Sequence, residues 1–123
     1  MPTPRLLVCC IIVVATSAEA CECSERLKAK DAAIAFVGTP TKRVVLTYRG
    51  GSMAQEWPQY TFTVERTITG PNLPKVVVGT SFSDCGIPFE IGRHYTVVAY
   101  SDPERGVQWA TDQCTETHPL SVK

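Results

Sequence analysis

The sequence lacks an excess of charge of either sign: twelve Lys and Arg stand against twelve Asp and Glu over 123 residues. A neutral chain offers no basic footprint for a phosphate backbone or an anionic lipid surface. That argues against nucleic-acid binding, including the single-strand mode that needs a basic groove with stacking aromatics. Histidine is scarce too. His94 follows Arg93 at a strand start and His118 precedes Pro119 near the C-terminus, without the close pairing of a zinc protease, so both read as solvated surface residues. Ser83 and Asp84 read as turn residues and not as part of a triad, because nothing in the sequence sets a histidine beside them; no enzyme and no resident cofactor are expected. Also missing is an apolar run that spans a bilayer. The longest, residues 6–15 (LLVCCIIVVA), is about half the ~20 residues a membrane helix needs.

That run instead has the plan of a secretory signal peptide: a short head with Arg5, the apolar stretch, then Thr16, Ser17, Ala18, Glu19 and Ala20. Ala18 and Ala20 supply the small side chains that a signal peptidase accepts, which places the signal at residues 1–20 and the mature start at Cys21. A lipoprotein signal, with an acylated Cys21, fits less well, since Ala18-Glu19-Ala20 lacks the usual aliphatic residue. The remaining residues, 21–123, are enough for one domain, expected outside the cell and not inserted in the membrane. Cys9 and Cys10 leave with the signal, and Cys21, Cys23, Cys85 and Cys114 remain. An even number in an exported chain implies two disulfides, with three connectivities open by counting. A structural zinc is the competing use of four cysteines, but zinc ligands come in close pairs, and Cys85 and Cys114 are 29 residues apart.

Strand signals fill the mature chain. Ser24 is placed to cap a short helix over residues 25–30. Residues 33–38 and 43–48 are rich in Ile, Val, Phe, Leu and Tyr, and the intervening Gly38, Thr39 and Pro40 predict a bulge or bend in one long strand. Residues 49–56 read as an exposed, Gly-rich turn. Along 59–69, Tyr60, Phe62, Val64, Arg66 and Ile68 alternate with Thr61, Thr63, Glu65 and Thr67, the cleanest period-two pattern in the chain. Further strands are expected at 75–82, 95–100 and 107–111, and one helical turn at 115–119. Trp57, Trp109, Tyr48, Tyr60 and Tyr100 are expected to pack the barrel. Five strands, one of them bent, with short flanking helices predict an all-β, disulfide-stapled closed barrel of the OB type. A two-sheet sandwich, which usually wants about seven strands, is the alternative.

Taken together, a mature N-terminal Cys21-x-Cys23, the Ala33-Ile34-Ala35-Phe36-Val37-Gly38 strand, Tyr60-x-Phe62-x-Val64, Ser83-Asp84-Cys85-Gly86, Gly92-x-x-Tyr95-Thr96-Val97-Val98-Ala99 and a cysteine after the fifth strand resemble the tissue inhibitors of metalloproteinases and the related netrin-like modules. The resemblance runs over nearly all of residues 21–114. It implies an OB barrel with disulfides Cys21–Cys85 and Cys23–Cys114. It also implies an inhibitory wedge made of Cys21, Glu22, Cys23 and Ser24 beside Ser83, Asp84, Cys85 and Gly86. The expected partner is a zinc metalloprotease or another extracellular protein.

The chemistry of such a wedge is simple. A catalytic zinc keeps one coordination position open for water, and the α-amine and carbonyl of Cys21 can close a five-membered chelate on it. An α-amine of ordinary pKa, about 7.7–8.0, sheds its proton beside a dication. Disulfides on the first and third mature residues would hold the amine in place before binding, and any residue or acyl group ahead of Cys21 would remove the ligand. Glu22 stands where the family's inhibitors reach into the protease's specificity pocket. A carboxylate is costly in an apolar pocket, so Glu22 points to a protease with a basic pocket, or to no protease at all. The alternative is a netrin-like extracellular binding module without protease inhibition, whose cysteines are purely structural.

Overall fold

Two seventeen-residue strands dominate the molecule, β1 (Ile34–Gly50) and β2 (Met53–Thr69), paired antiparallel from Ala35↔Thr69 to Gly50↔Met53. The computed structural model describes residues 21–50, 53–81 and 84–121; the segment read as a signal peptide, residues 1–20, and Ser83 lie outside the described residues. The pairing slips at Val37/Gly38 and again at Pro40/Lys42, where the sequence predicts a bend. Proline has no N–H for the ladder. Gly38 is required by proximity: a Cβ there would sit 2.6 Å from the Thr63 carbonyl oxygen. The bend divides β1. Residues 34–38 also pair with β4 (Tyr95–Ser101) and belong to the barrel, whereas the far end pairs with β2 alone as a two-stranded ribbon on which Val44, Val45 and Leu46 are exposed.

The ladder runs through most of the 49–56 stretch expected as a turn, leaving only residues 51–52 between the strands. Continued cross-strand bonding satisfies the backbone there despite the glycines, so local composition was overridden by the partner strand.

Residues 59–63 of β2 pair with β3 (Lys75–Gly79), β3 pairs in parallel with β5 (Trp109–Ala110), and β5 pairs with β4, which returns to β1. The order β1-β2-β3-β5-β4-β1 closes a five-stranded barrel of the OB type. One sheet closed on itself replaces the sandwich alternative. β3 and β5 are shorter than expected, and a further short strand, β6 (His118–Pro119), pairs with Tyr95 and Thr96 of β4. Residues 115–119 therefore form no helical turn.

The core follows the period-two pattern only where the barrel closes over it. Tyr60 and Phe62 are buried and Val64 half-buried, but Arg66 and Ile68 are exposed. They lie beyond the reach of β3, which covers β2 only from Gln59 to Thr63. Phe89, from the loop before β4, fills the centre. Its ring meets Tyr60, Phe62 and Tyr95 edge to face at centroid distances of 5.1, 5.0 and 4.8 Å, and Phe62 meets Phe36 in the same way at 5.4 Å. Trp57 and Trp109 are buried, as barrel-packing aromatics should be, and Tyr100 is half-buried.

Among the described residues, helix is reduced to single 3-10 turns at Ala29–Asp31 and Pro103–Arg105. The expected helix over 25–30 does not form, and Ser24 caps nothing: the residue preceding the first turn is Lys28, without a side-chain cap. The reason is the backbone of Leu27. Its N–H donates to the Cys114 carbonyl (2.8 Å) and its carbonyl accepts from the Glu116 N–H (2.9 Å), so both groups a helix would need are committed to a bridge with the C-terminal segment.

Between β5 and β6 the outer edge of β4 faces side chains instead of a strand. The Thr111 hydroxyl donates to the Val98 carbonyl (2.7 Å), and the Val98 N–H donates to the Thr117 hydroxyl (2.9 Å). Thr115 bridges the two hydroxyls at 2.9 and 2.7 Å. Thr111 and Thr115 are buried; a satisfied cluster is what makes three hydroxyls tolerable there.

Candidate functional site

Two disulfides fix Cys21 and Cys23 to two loops at one end of the barrel. Cys21 is bonded to Cys85, with Cα atoms 4.9 Å apart, and Cys23 to Cys114, with Cα atoms 5.4 Å apart. This is the pairing that the family resemblance implied. Alternate residues are thus tied down, which leaves Glu22 exposed between two anchors and Ser24 exposed after them.

The Cys85 loop is held from three directions. The Gln113 N–H donates to the Cys85 carbonyl (2.8 Å) and its side-chain amide to the Gly86 carbonyl (3.1 Å). The Ile87 N–H donates to the Thr80 hydroxyl (2.9 Å), and Phe89 sits in the aromatic core. The Cys114 turn is shaped by Asp112. One carboxylate oxygen accepts from the Cys114 N–H (2.8 Å) and the other from the Tyr100 hydroxyl (2.8 Å), so β4 aims the turn that carries the second disulfide. Leu27 then straps the N-terminal segment alongside through its bridge with Thr115.

Cys21, Glu22, Cys23, Asp84, Cys85 and Gly86 therefore come together as one ridge, with Ser24 at its margin; Ser83, also expected there, lies outside the described residues. Glu22, Ser24 and Asp84 are exposed and Gly86 is buried. Asp112, Gln113 and Tyr100 position the ridge and were not anticipated. Asp112 had a signal, since an aspartate two residues before an anchored position is an Asx-turn pattern; Gln113 had none, because its partners are 27 and 28 residues away. Beside the ridge lies an open cleft of about 300 Å³ bordered by Arg43, Tyr60, Thr80, Asp84, Gly86 and Gln113. Arg43 donates through Nε to the Tyr60 hydroxyl (3.3 Å), with its guanidinium 6.0 Å from the ring centroid.

No family model and no curated protein matches the chain.

The sulfur atoms of Cys21, Cys23 and Cys114 lie within 4.8 Å of one another, but all three are spent in disulfides. A disulfide sulfur is not a thiolate, so this cluster does not make the zinc site weighed from the sequence. The histidines sit on the surface as expected. His94 Nδ1 lies 2.9 Å from Glu65 and 3.2 Å from the Thr39 hydroxyl, and His118 Nδ1 lies 2.8 Å from the Glu116 carbonyl. Two disulfides agree with an extracellular location, and among the described residues no helix is long and apolar enough to cross a membrane.

Proposed function

We propose that the chain is an exported inhibitor of zinc metalloendopeptidases, of the tissue-inhibitor and netrin-like kind, acting through the free amine and carbonyl of Cys21. The observation that carries this reading is the double anchoring of Cys21 and Cys23 to the Cys85 and Cys114 loops. Cleavage after Ala20 frees the amine, and the disulfide to Cys85 keeps it from wandering. The amine and carbonyl replace the water on the protease's zinc as a chelate whose ordering entropy is already spent on folding. The exposed Glu22 side chain then enters the neighbouring pocket, where a basic lining offsets its desolvation. Asp84 and the cleft beside it meet the rim of the protease groove.

A second reading is an extracellular binding module that uses the same ridge without inhibiting a protease. Glu22 favours it: a charge at the tip suits a polar protein surface better than an apolar specificity pocket. One comparison separates the two. Mature protein beginning at Cys21 and a form with one added N-terminal alanine are assayed against a panel of zinc endopeptidases, with unfolding midpoints measured in parallel. The first reading expects inhibition by the mature form only, at equal stability. Equal inhibition by both forms, or none by either, overturns it; a partner captured equally by both forms supports the second.

A further inference from the structure

The two disulfides are in contact with each other. Cys21 Sγ lies 3.6 Å from Cys114 Sγ, van der Waals separation for sulfur atoms that belong to different bridges. Cys23, Cys85 and Cys114 are each half-buried, whereas Cys21 is 7% exposed. A solvent thiol therefore reaches the outer sulfurs more readily than the one at the centre.

We propose that this pair is a thiol-exchange relay, in which opening of one bridge by a small-molecule thiol transfers the opening to the other through a Cys21–Cys114 bond. The thiolate of an external monothiol attacks Cys23 Sγ. The Cys23–Cys114 bond breaks, a mixed disulfide forms on Cys23, and Cys114 leaves as a thiolate. That thiolate is already against Cys21 Sγ and attacks it; the Cys21–Cys114 bond forms, the Cys21–Cys85 bond breaks, and Cys85 leaves as a thiolate that takes a proton from solvent. Disulfide count is conserved and the external thiol's proton ends on Cys85, so no oxidant or reductant beyond that thiol is consumed. Entry at Cys85 runs the same relay in reverse. Cys21 is expelled, attacks Cys114 and leaves Cys23 free, again with a Cys21–Cys114 product.

Proximity makes the second step intramolecular and fast relative to a second external attack. Its consequence is that a thiol arriving at the edge releases the loop at Asp84 and Gly86 while Cys21 stays tethered. The ridge is dismantled without loss of both bridges. This holds whatever the ridge binds, because it needs only the positions of the four sulfurs.

The test uses the intact disulfide-bonded protein. A limiting amount of glutathione is added at mildly alkaline pH, free thiols are trapped with an alkylating agent, and peptides are mapped under acid. The expected result is a Cys21–Cys114 cross-linked peptide with alkylation shifted to Cys85 or Cys23. Alkylated Cys114 with Cys21–Cys85 intact overturns the relay. So do alkylation spread over all four positions, which reports global opening, and the absence of any opening by glutathione. A second arm needs no added thiol: Cys23→Ser leaves Cys114 free, and the protein should distribute between Cys21–Cys85 and Cys21–Cys114 forms, with alkylation divided between Cys114 and Cys85. Alkylation confined to Cys114 there overturns the proposal independently.

Discussion

Replacing Phe89 with alanine tests how the core holds the ridge. Phe89 is 5% exposed and comes from a loop, yet its ring touches Tyr60, Phe62 and Tyr95. Buried Phe→Ala changes typically lose about 3–5 kcal/mol, the transfer energy of the ring plus the cavity left behind. The upper half of that range applies here, because the rings around the vacancy are carried by β2 and β4 of a closed barrel and cannot collapse into it. Domains of this size have roughly 5–15 kcal/mol in total, so the variant should be folded but fragile. Phe89→Leu separates area from geometry. It keeps most of the apolar volume and loses three edge-to-face contacts, each worth about 0.5–1.5 kcal/mol and not additive because they share one ring, for a net loss of roughly 2 kcal/mol. Urea unfolding in non-reducing buffer reads both. With a slope of about 1–1.5 kcal/mol/M, Phe89→Ala should lower the midpoint by roughly 3 M or more and Phe89→Leu by somewhat over 1 M, with the slope unchanged. A loss below about 1 kcal/mol for alanine would refute the claim that this loop is anchored through the core.

Two further predictions concern backbone packing. Thr111→Val keeps shape and removes the hydroxyl that the Val98 carbonyl, Thr115 and Thr117 share; a loss of about 1–3 kcal/mol is expected, with Thr111→Ser much milder, by the same urea assay. Gly38→Ala drives a methyl against the Thr63 carbonyl, an atom of the paired strand that cannot swing away, and should lose about 1–3 kcal/mol; thermal melts at matched redox conditions check it.

Barrel topology was legible because its determinants are local. Gly38-Thr39-Pro40 marks the bend, and Tyr60 and Phe62 mark the inner face. What the sequence misled on was decided by pairing partners and not by local composition. Residues 25–30 have helix-forming composition, but the Leu27 backbone is committed to Cys114 and Glu116. Arg66 and Ile68 continue the alternation of Tyr60 and Phe62, yet β3 stops short of them. Residues 49–50 and 53–56 have the composition of a turn and are held extended by each other. At the ridge, the cysteines announced themselves, whereas Gln113 became visible only once its contacts to Cys85 and Gly86 were seen.

The wide sequence separations of the bridges, 64 and 91 residues, govern how the molecule comes into being. During synthesis Cys21 and Cys23 emerge ahead of their partners, by 64 and 91 residues respectively. Two cysteines separated by one residue are poorly placed to pair with each other. Barrel closure waits as well, since β1 needs β4 and β3 needs β5. The Cys21–Cys85 bond can form only once Cys85 has been made, and the Cys23–Cys114 bond waits longer still, until all five barrel strands are in the chain. The end that finishes the fold is the one that has waited longest for its partner.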